Sequence, residues 1–192
     1  MARPATIVAC LLAALALAGC GNERPDVSLR AQLSGESRQV SFPRAGLEVE
    51  LPREFDARPA EAPQVFRAVY GQALVSAYAY ERAEQTPLDD EQLDAALRRL
   101  EAAAEERTPT YVLRSSGTAQ VAGGRALELI GDQTISGERL RTHSLHVFDE
   151  GAEYVIELLA PRREFLRFDR ALFPLVERTL AVTGAIRAAG GS

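Results

Sequence analysis

The chain has 192 residues and a net charge of −5, from 27 acidic side chains and 22 basic ones, every one of which is arginine. The lack of lysine excludes Schiff-base and lysine-nucleophile chemistry, and the acidic balance argues against nucleic acid and against a polybasic grip on anionic lipid. This length suits one domain with a real core plus some flexible chain.

Met1-Ala2-Arg3 leads into an almost unbroken apolar run, Ala5 to Ala18, and then Gly19-Cys20-Gly21-Asn22. That charged, apolar and small-residue order is the order of a secretory signal. About 14 apolar residues at 1.5 Å each fall short of roughly 30 Å of hydrocarbon, so removal is expected rather than a lasting membrane span. Leu17-Ala18-Gly19-Cys20 resembles the lipobox of bacterial lipoproteins at every position. The resemblance implies a diacylglyceryl thioether on Cys20 and cleavage between Gly19 and Cys20. Two or three acyl chains, at about 0.8 kcal/mol per buried methylene, make a stable anchor. The expected location is the cell envelope, on the outer face of the cytoplasmic membrane or on the outer membrane. Cys10 lies in the discarded segment, so the exported domain has no thiol to form a disulfide. Loss of residues 1–19 leaves 173 residues and, with Arg3 gone, a charge of −6.

Residues 20–39 are polar, mixed in charge and without apolar periodicity, and read as a lipidated cysteine followed by a flexible tether. The folded domain is expected over 40–184, with a loose tail over 185–192. Leu47, Val49 and Leu51 alternate with Glu48 and Glu50, the pattern of a strand with one wet face that Pro52 stops. Val65 to Tyr70 and Ala73 to Arg82 are two β-rich runs joined at Gly71-Gln72, a hairpin signal. From Leu88 to Glu106 the period becomes helical, with Leu93, Ala96, Leu97, Leu100, Ala103 and Ala104 on one stripe. Thr86-Pro87-Leu88-Asp89 supplies a cap and a first-turn proline. Four strand-like runs follow, Tyr111 to Val121, Arg125 to Gln133, Arg139 to Phe148 and Glu153 to Leu159, broken by turn residues into a meander. Phe165, Phe168, Leu172, Leu175, Val176 and Leu180 then mark a last helix, in which Pro174 either makes a kink or starts a new helix. The fold class is α+β: an antiparallel sheet of about six to seven strands packed with a middle helix and a C-terminal helix.

That order of elements, with Gly46-Leu47-Glu48-Val49-Glu50-Leu51-Pro52 and Phe55 at its start, Gly123-Gly124 leading into Ala126-Leu127-Glu128-Leu129, and Glu153-Tyr154-Val155-Ile156 leading into Phe165, Phe173, Val176 and Leu180, resembles the PsbP-like fold. Bacterial lipoproteins of the DcrB and LpqN kinds share that fold. The resemblance implies a sandwich and a binding or assembly role; its carriers are structural positions and not a catalytic motif.

His143 and His146 occupy odd and even positions of one strand, point to opposite faces and cannot jointly hold a metal without a bulge. No serine has a Gly-x-Ser-x-Gly setting, so an enzyme is not expected, nor is a cofactor. The acidic pairs Asp89-Asp90, Glu105-Glu106 and Asp149-Glu150 sit where helix starts, helix surfaces and turns favour acids. Two groups stand as candidate binding residues. Arg139, Arg141 and His143 share a strand face and form either an anion site or a sheet face paired with Glu128 or Glu157. Tyr78 and Tyr80, beside Leu74, either line an apolar pocket between sheet and helix or belong to the core with their hydroxyls at its rim. The expected function is a non-enzymatic one, binding an envelope protein or an amphiphile at the membrane and no nucleic acid; the alternative is a lipid or amphiphile carrier with a cavity between sheet and helix.

Overall fold

In a computed structural model, which describes residues 33–82, 86–87, 89–122, 124–149 and 151–182, the alternating run at 47–52 is the central strand of a small sheet. The strands are β1 Ser37–Phe42, β2 Leu47–Pro52, β3 Asp56–Pro59, β4 Gln64–Tyr70, β5 Ala73–Glu81, β6 Val112–Val121, β7 Gly124–Ile135, β8 Glu138–Asp149, β9 Ala152–Pro161 and β10 Ala181–Val182. The helices are α1 Asp90–Arg107 and α2 Phe165–Thr179. The small sheet has the order β1-β2-β10 and the large one β3-β4-β5-β9-β8-β7-β6. Neighbours within each sheet run antiparallel. The architecture is the expected α+β arrangement.

Period-2 patterning sets which side of each strand is buried. In β2, Leu47, Val49 and Leu51 are buried, while Glu48 and Glu50 accept hydrogen bonds from Ser41, Gln39 and Ser37 of β1. One face of the large sheet packs on α2 and β2. There Tyr154, Ile156 and Leu158 of β9, Leu145 and Val147 of β8, and Phe165, Phe168, Leu172 and Val176 of α2 form the main core. Phe168 is fully buried, with Phe55 and Tyr70 edge-on to its ring at 5.9 and 6.4 Å. Pro174 lies within one continuous helix. The opposite face of the large sheet carries α1, whose Leu93 and Ala96 pack on Leu127, with Leu97 and Leu100 alongside.

Three boundaries differ from the sequence expectation. The tether expected over 20–39 gives way to structure earlier, because β1 begins at Ser37 and its side chains are held by the acids of β2. The cap of α1 is Asp89, whose side chain accepts from the backbone N–H of Gln92 at 2.8 Å, and Thr86 and Pro87 precede the helix. The short strands β3 and β10 have no signal in the sequence, being four and two residues long. Gly19, Cys20 and the tail at 185–192 lie outside the described residues. Among the described residues no helix is long and apolar enough to cross a membrane.

Candidate functional site

α1 lies over β6 and β7 and leaves the same face of β8, β9 and β5 less covered, opening a groove of about 630 Å³. Each wall follows from strand alternation. β5 contributes Leu74, Tyr78 and Tyr80, β9 contributes Glu153, Val155, Glu157 and Leu159, and β8 contributes Thr142, Ser144 and His146. From the other side come Leu100, Ala103, Ala104 and Arg107 of α1. Tyr78 and Tyr80 thus lie beside Leu74 in a space between sheet and helix. Their rings stack at 6.0 Å with 10° between planes.

Tyr111 closes one end of the groove. Its ring lies against the backbone of Gly131, where an added Cβ would stand 2.1 Å from the ring. Only glycine leaves room for that approach. Gly131→Ala is therefore expected to swing the Tyr111 ring away and widen the groove with little loss of fold stability. The check is tyrosine fluorescence alongside the melting curve.

The groove has a polar floor. Nδ1 of His146 bonds to Oε1 of Glu153 at 2.7 Å, and its Nε2 lies 3.1 Å from the Ser144 hydroxyl. Arg82 donates to the other oxygen of Glu153 at 2.7 Å. Burial pushes the Glu153 carboxyl up, but the His146 bond and the charges of His146 and Arg82 outweigh it and hold the group below the usual carboxylate range. Glu157 is different. It has no hydrogen bond or ion pair among the described residues, and burial pushes its carboxyl up, with Arg107 and His146 pulling it partly back.

A group whose folded-state value is raised binds its proton more tightly in the folded state, so it makes the fold lose stability as pH rises from the unfolded value to the raised one. Glu157→Gln removes that loss. The variant is expected to match the parent at pH 4 and to melt higher at pH 8, and thermal melts across that range check it.

Sequence reasoning gave no nucleophile and base pair, yet the strand spacing brings Ser144 to His146 and the hairpin brings Glu153. Serine, imidazole and carboxylate in this order are the parts of an acyl-transfer relay. Ser144, however, sits mid-strand in β8, between the β7 and β9 ladders, where the backbone N–H groups around it serve sheet pairing.

Arg139, Arg141 and His143 share the opposite face and do not form an open anion site. Arg141 donates twice to Asp132, at 2.6 and 3.1 Å, and lies over the Phe165 ring. Those bonds, with a further one from Arg114, hold Asp132 below the usual range. His143 is 4% exposed, stacked on Phe173, with Nδ1 donating to Asp169 of α2 at 2.7 Å and Nε2 3.3 Å from Glu128 but not aligned for a hydrogen bond. Glu128 is thus one neighbour, as expected; Glu157 is not, because it points to the groove face. Arg139 alone is exposed, at the start of β8. The two histidines lie on opposite faces of β8.

No protein-family model matches the sequence, and no curated protein does. Solved structures do. The crystal structure of LpqN, involved in cell envelope biogenesis of Mycobacterium tuberculosis, is similar over 78% of this chain and 91% of its own, with a TM-score of 0.55 and 15% identity. The solution structure of the cyanobacterial PsbP protein CyanoP from Synechocystis sp. PCC 6803 is similar over 78% and 94%, with a TM-score of 0.57 and 9% identity. The domain has the PsbP-like fold.

Proposed function

We propose that this PsbP-like domain belongs to an envelope lipoprotein, anchored through lipid on Cys20, that binds an amphiphilic molecule in the groove under α1 and catalyses no reaction. The observation that carries the binding role is the groove itself. Apolar side chains (Leu74, Leu100, Val155, Leu159) and the Tyr78–Tyr80 stack line it, while Glu157, whose carboxyl has no hydrogen-bond partner among the described residues, lies in its floor. Mostly apolar walls with a few converging polar groups are what a site for a molecule with an apolar body and a polar end requires. The envelope setting rests on the lipobox, and the LpqN likeness agrees with it.

The test uses the neutral fluorescent probe N-phenyl-1-naphthylamine. Saturable one-to-one binding is expected, weakened at least tenfold by Ala103→Trp, which places an indole in the groove from the exposed side of α1. Probe binding that does not saturate, or that ignores the tryptophan, would overturn the groove as the site. The Ser144, His146 and Glu153 relay gives the opposing reading its own measurement. A fluorophosphonate should leave Ser144 unlabelled, whereas labelling lost in His146→Ala would make the protein a serine hydrolase.

A further inference from the structure

Strand directions place several connections at one rim of the large sheet. The β4–β5 turn at Gly71-Gln72, the β7–β8 turn at Ser136-Gly137, the start of β6, and the passage from β9 into α2 all meet there. Five large apolar side chains are exposed among the described residues, and four of them, Val69, Val112, Ile135 and Leu166, lie on this rim, Ile135 where the groove reaches it; the fifth, Tyr80, also lines the groove. Exposed apolar side chains scattered singly need no explanation, but a grouping at one end does.

Three exposed arginines stand among them. Arg139 and Arg162 are joined through the backbone, the Arg162 N–H donating to the Arg139 carbonyl at 3.2 Å, and Arg163 reaches Gln72 at 3.2 Å. Arg162 is only 3.9 Å from Asp132 at its closest, and Arg163 3.6 Å from Glu164. The rim also carries Glu138, and Glu164 is taken up by Arg167 at 2.9 Å. The opposite end exposes Glu81, Asp89, Asp90, Glu91 and Asp94, with Arg125 paired to Asp90, while Glu105 and Glu106 at the end of α1 lie on the rim's side.

The described chain starts at this same rim. Ser34 bonds to Glu54, next to Phe55, whose ring lies 5.9 Å from Tyr70 at the β4–β5 turn. The 14 residues from Cys20 to Leu33 can span at most about 45 Å.

We infer that this rim is a membrane-docking surface: Arg139, Arg162 and Arg163 meet the anionic headgroups of a phospholipid bilayer while Val69, Ile135 and Leu166 enter its interfacial layer. Apolar tips ringed by arginine fit that boundary, the guanidinium held at phosphate level and the alkyl groups below. Each arginine near an anionic surface strengthens attachment about fivefold. The inference rests on the anchored reading of Cys20 for its setting, and it fixes which end of the domain faces the lipid.

The test places a fluorophore on the lipidated protein at Leu166→Cys on the rim or at Asp94→Cys on the far end, in phosphatidylcholine vesicles with a quarter phosphatidylglycerol. Brominated lipid should quench the rim label several-fold more than the far label. Arg139→Glu, Arg162→Glu and Arg163→Glu together should equalise the two labels while the protein stays on the vesicles. Equal quenching in the parent, or no effect of the triple variant, would overturn the inference. A protein that leaves the vesicles altogether would instead overturn the anchor. In that case flotation of the unlipidated chain decides the rim: at least tenfold more attachment to vesicles with phosphatidylglycerol than without supports docking, and equal attachment refutes it.

Discussion

His143→Ala is expected to cost the fold about 3 kcal/mol, the sum of a lost hydrogen bond to a charged group and a cavity beside Phe173. For a domain of this size that is a fall in Tm of about 6–12 °C. The imidazole fills the space between β8 and α2, bonded to Asp169 and 3.3 Å from Glu128. Without it two carboxylates face one another with only water between them. The crowding is already visible at Glu177, which burial and the negative charge of Glu128 push up. His143→Phe separates the contributions, since it keeps the ring on Phe173 and leaves Asp169 without its donor; it should recover less than half of the loss. A loss below about 1 kcal/mol for the alanine variant would mean that water satisfies the carboxylates and the histidine is peripheral.

Cys20→Ala should have an all-or-none effect on mass and retention. The parent's mass, after extraction from membranes, should equal the chain from Cys20 plus a diacylglyceryl group. In the variant both the added lipid and the cut before residue 20 should disappear, because the lipid is attached first and the cut follows. Two acyl chains hold a protein on a bilayer far more firmly than three arginines do. An unmodified mass, or a different cleavage point, would make this a secreted soluble domain and would remove the setting of the groove's ligand.

The fold was legible wherever one side of an element is wet. The 47–51 alternation, the α1 stripe and the four-run meander each carry a period that only one structure satisfies. β1 was hidden because its outward residues, Ser37, Gln39 and Ser41, are polar like a tether's; what makes them a strand is the row of acids on β2 that bonds them. For Tyr78 and Tyr80 the sequence left a pocket wall and a core position open, and they line the groove. Glu157 and His146 were not legible as groove residues, because a groove floor is assembled from neighbours across a sheet, and strand order is not written in local pattern. The arginine face failed as an anion site for a related reason: Asp132, which takes Arg141, sits on a different strand.

The large sheet is open, with β3 and β6 as its outermost strands. A lipid anchor would confine copies of the protein to a plane and raise how often two of them collide in a fixed orientation, the condition under which bare strand edges zip together. β3 presents only four residues and finishes at Pro59, which has no N–H to offer. β6 is long, but its register shifts between Leu113 and Ser115, with exposed Arg114 at the shift and Gly117 beyond it. Bulge and charge interrupt the row of unpaired groups at the start of β6, while Ser115 to Val121 continue in register. Each edge thus carries a device against pairing, Pro59 on β3 and the charged bulge on β6, and Arg114→Val is expected to raise aggregation of the crowded protein.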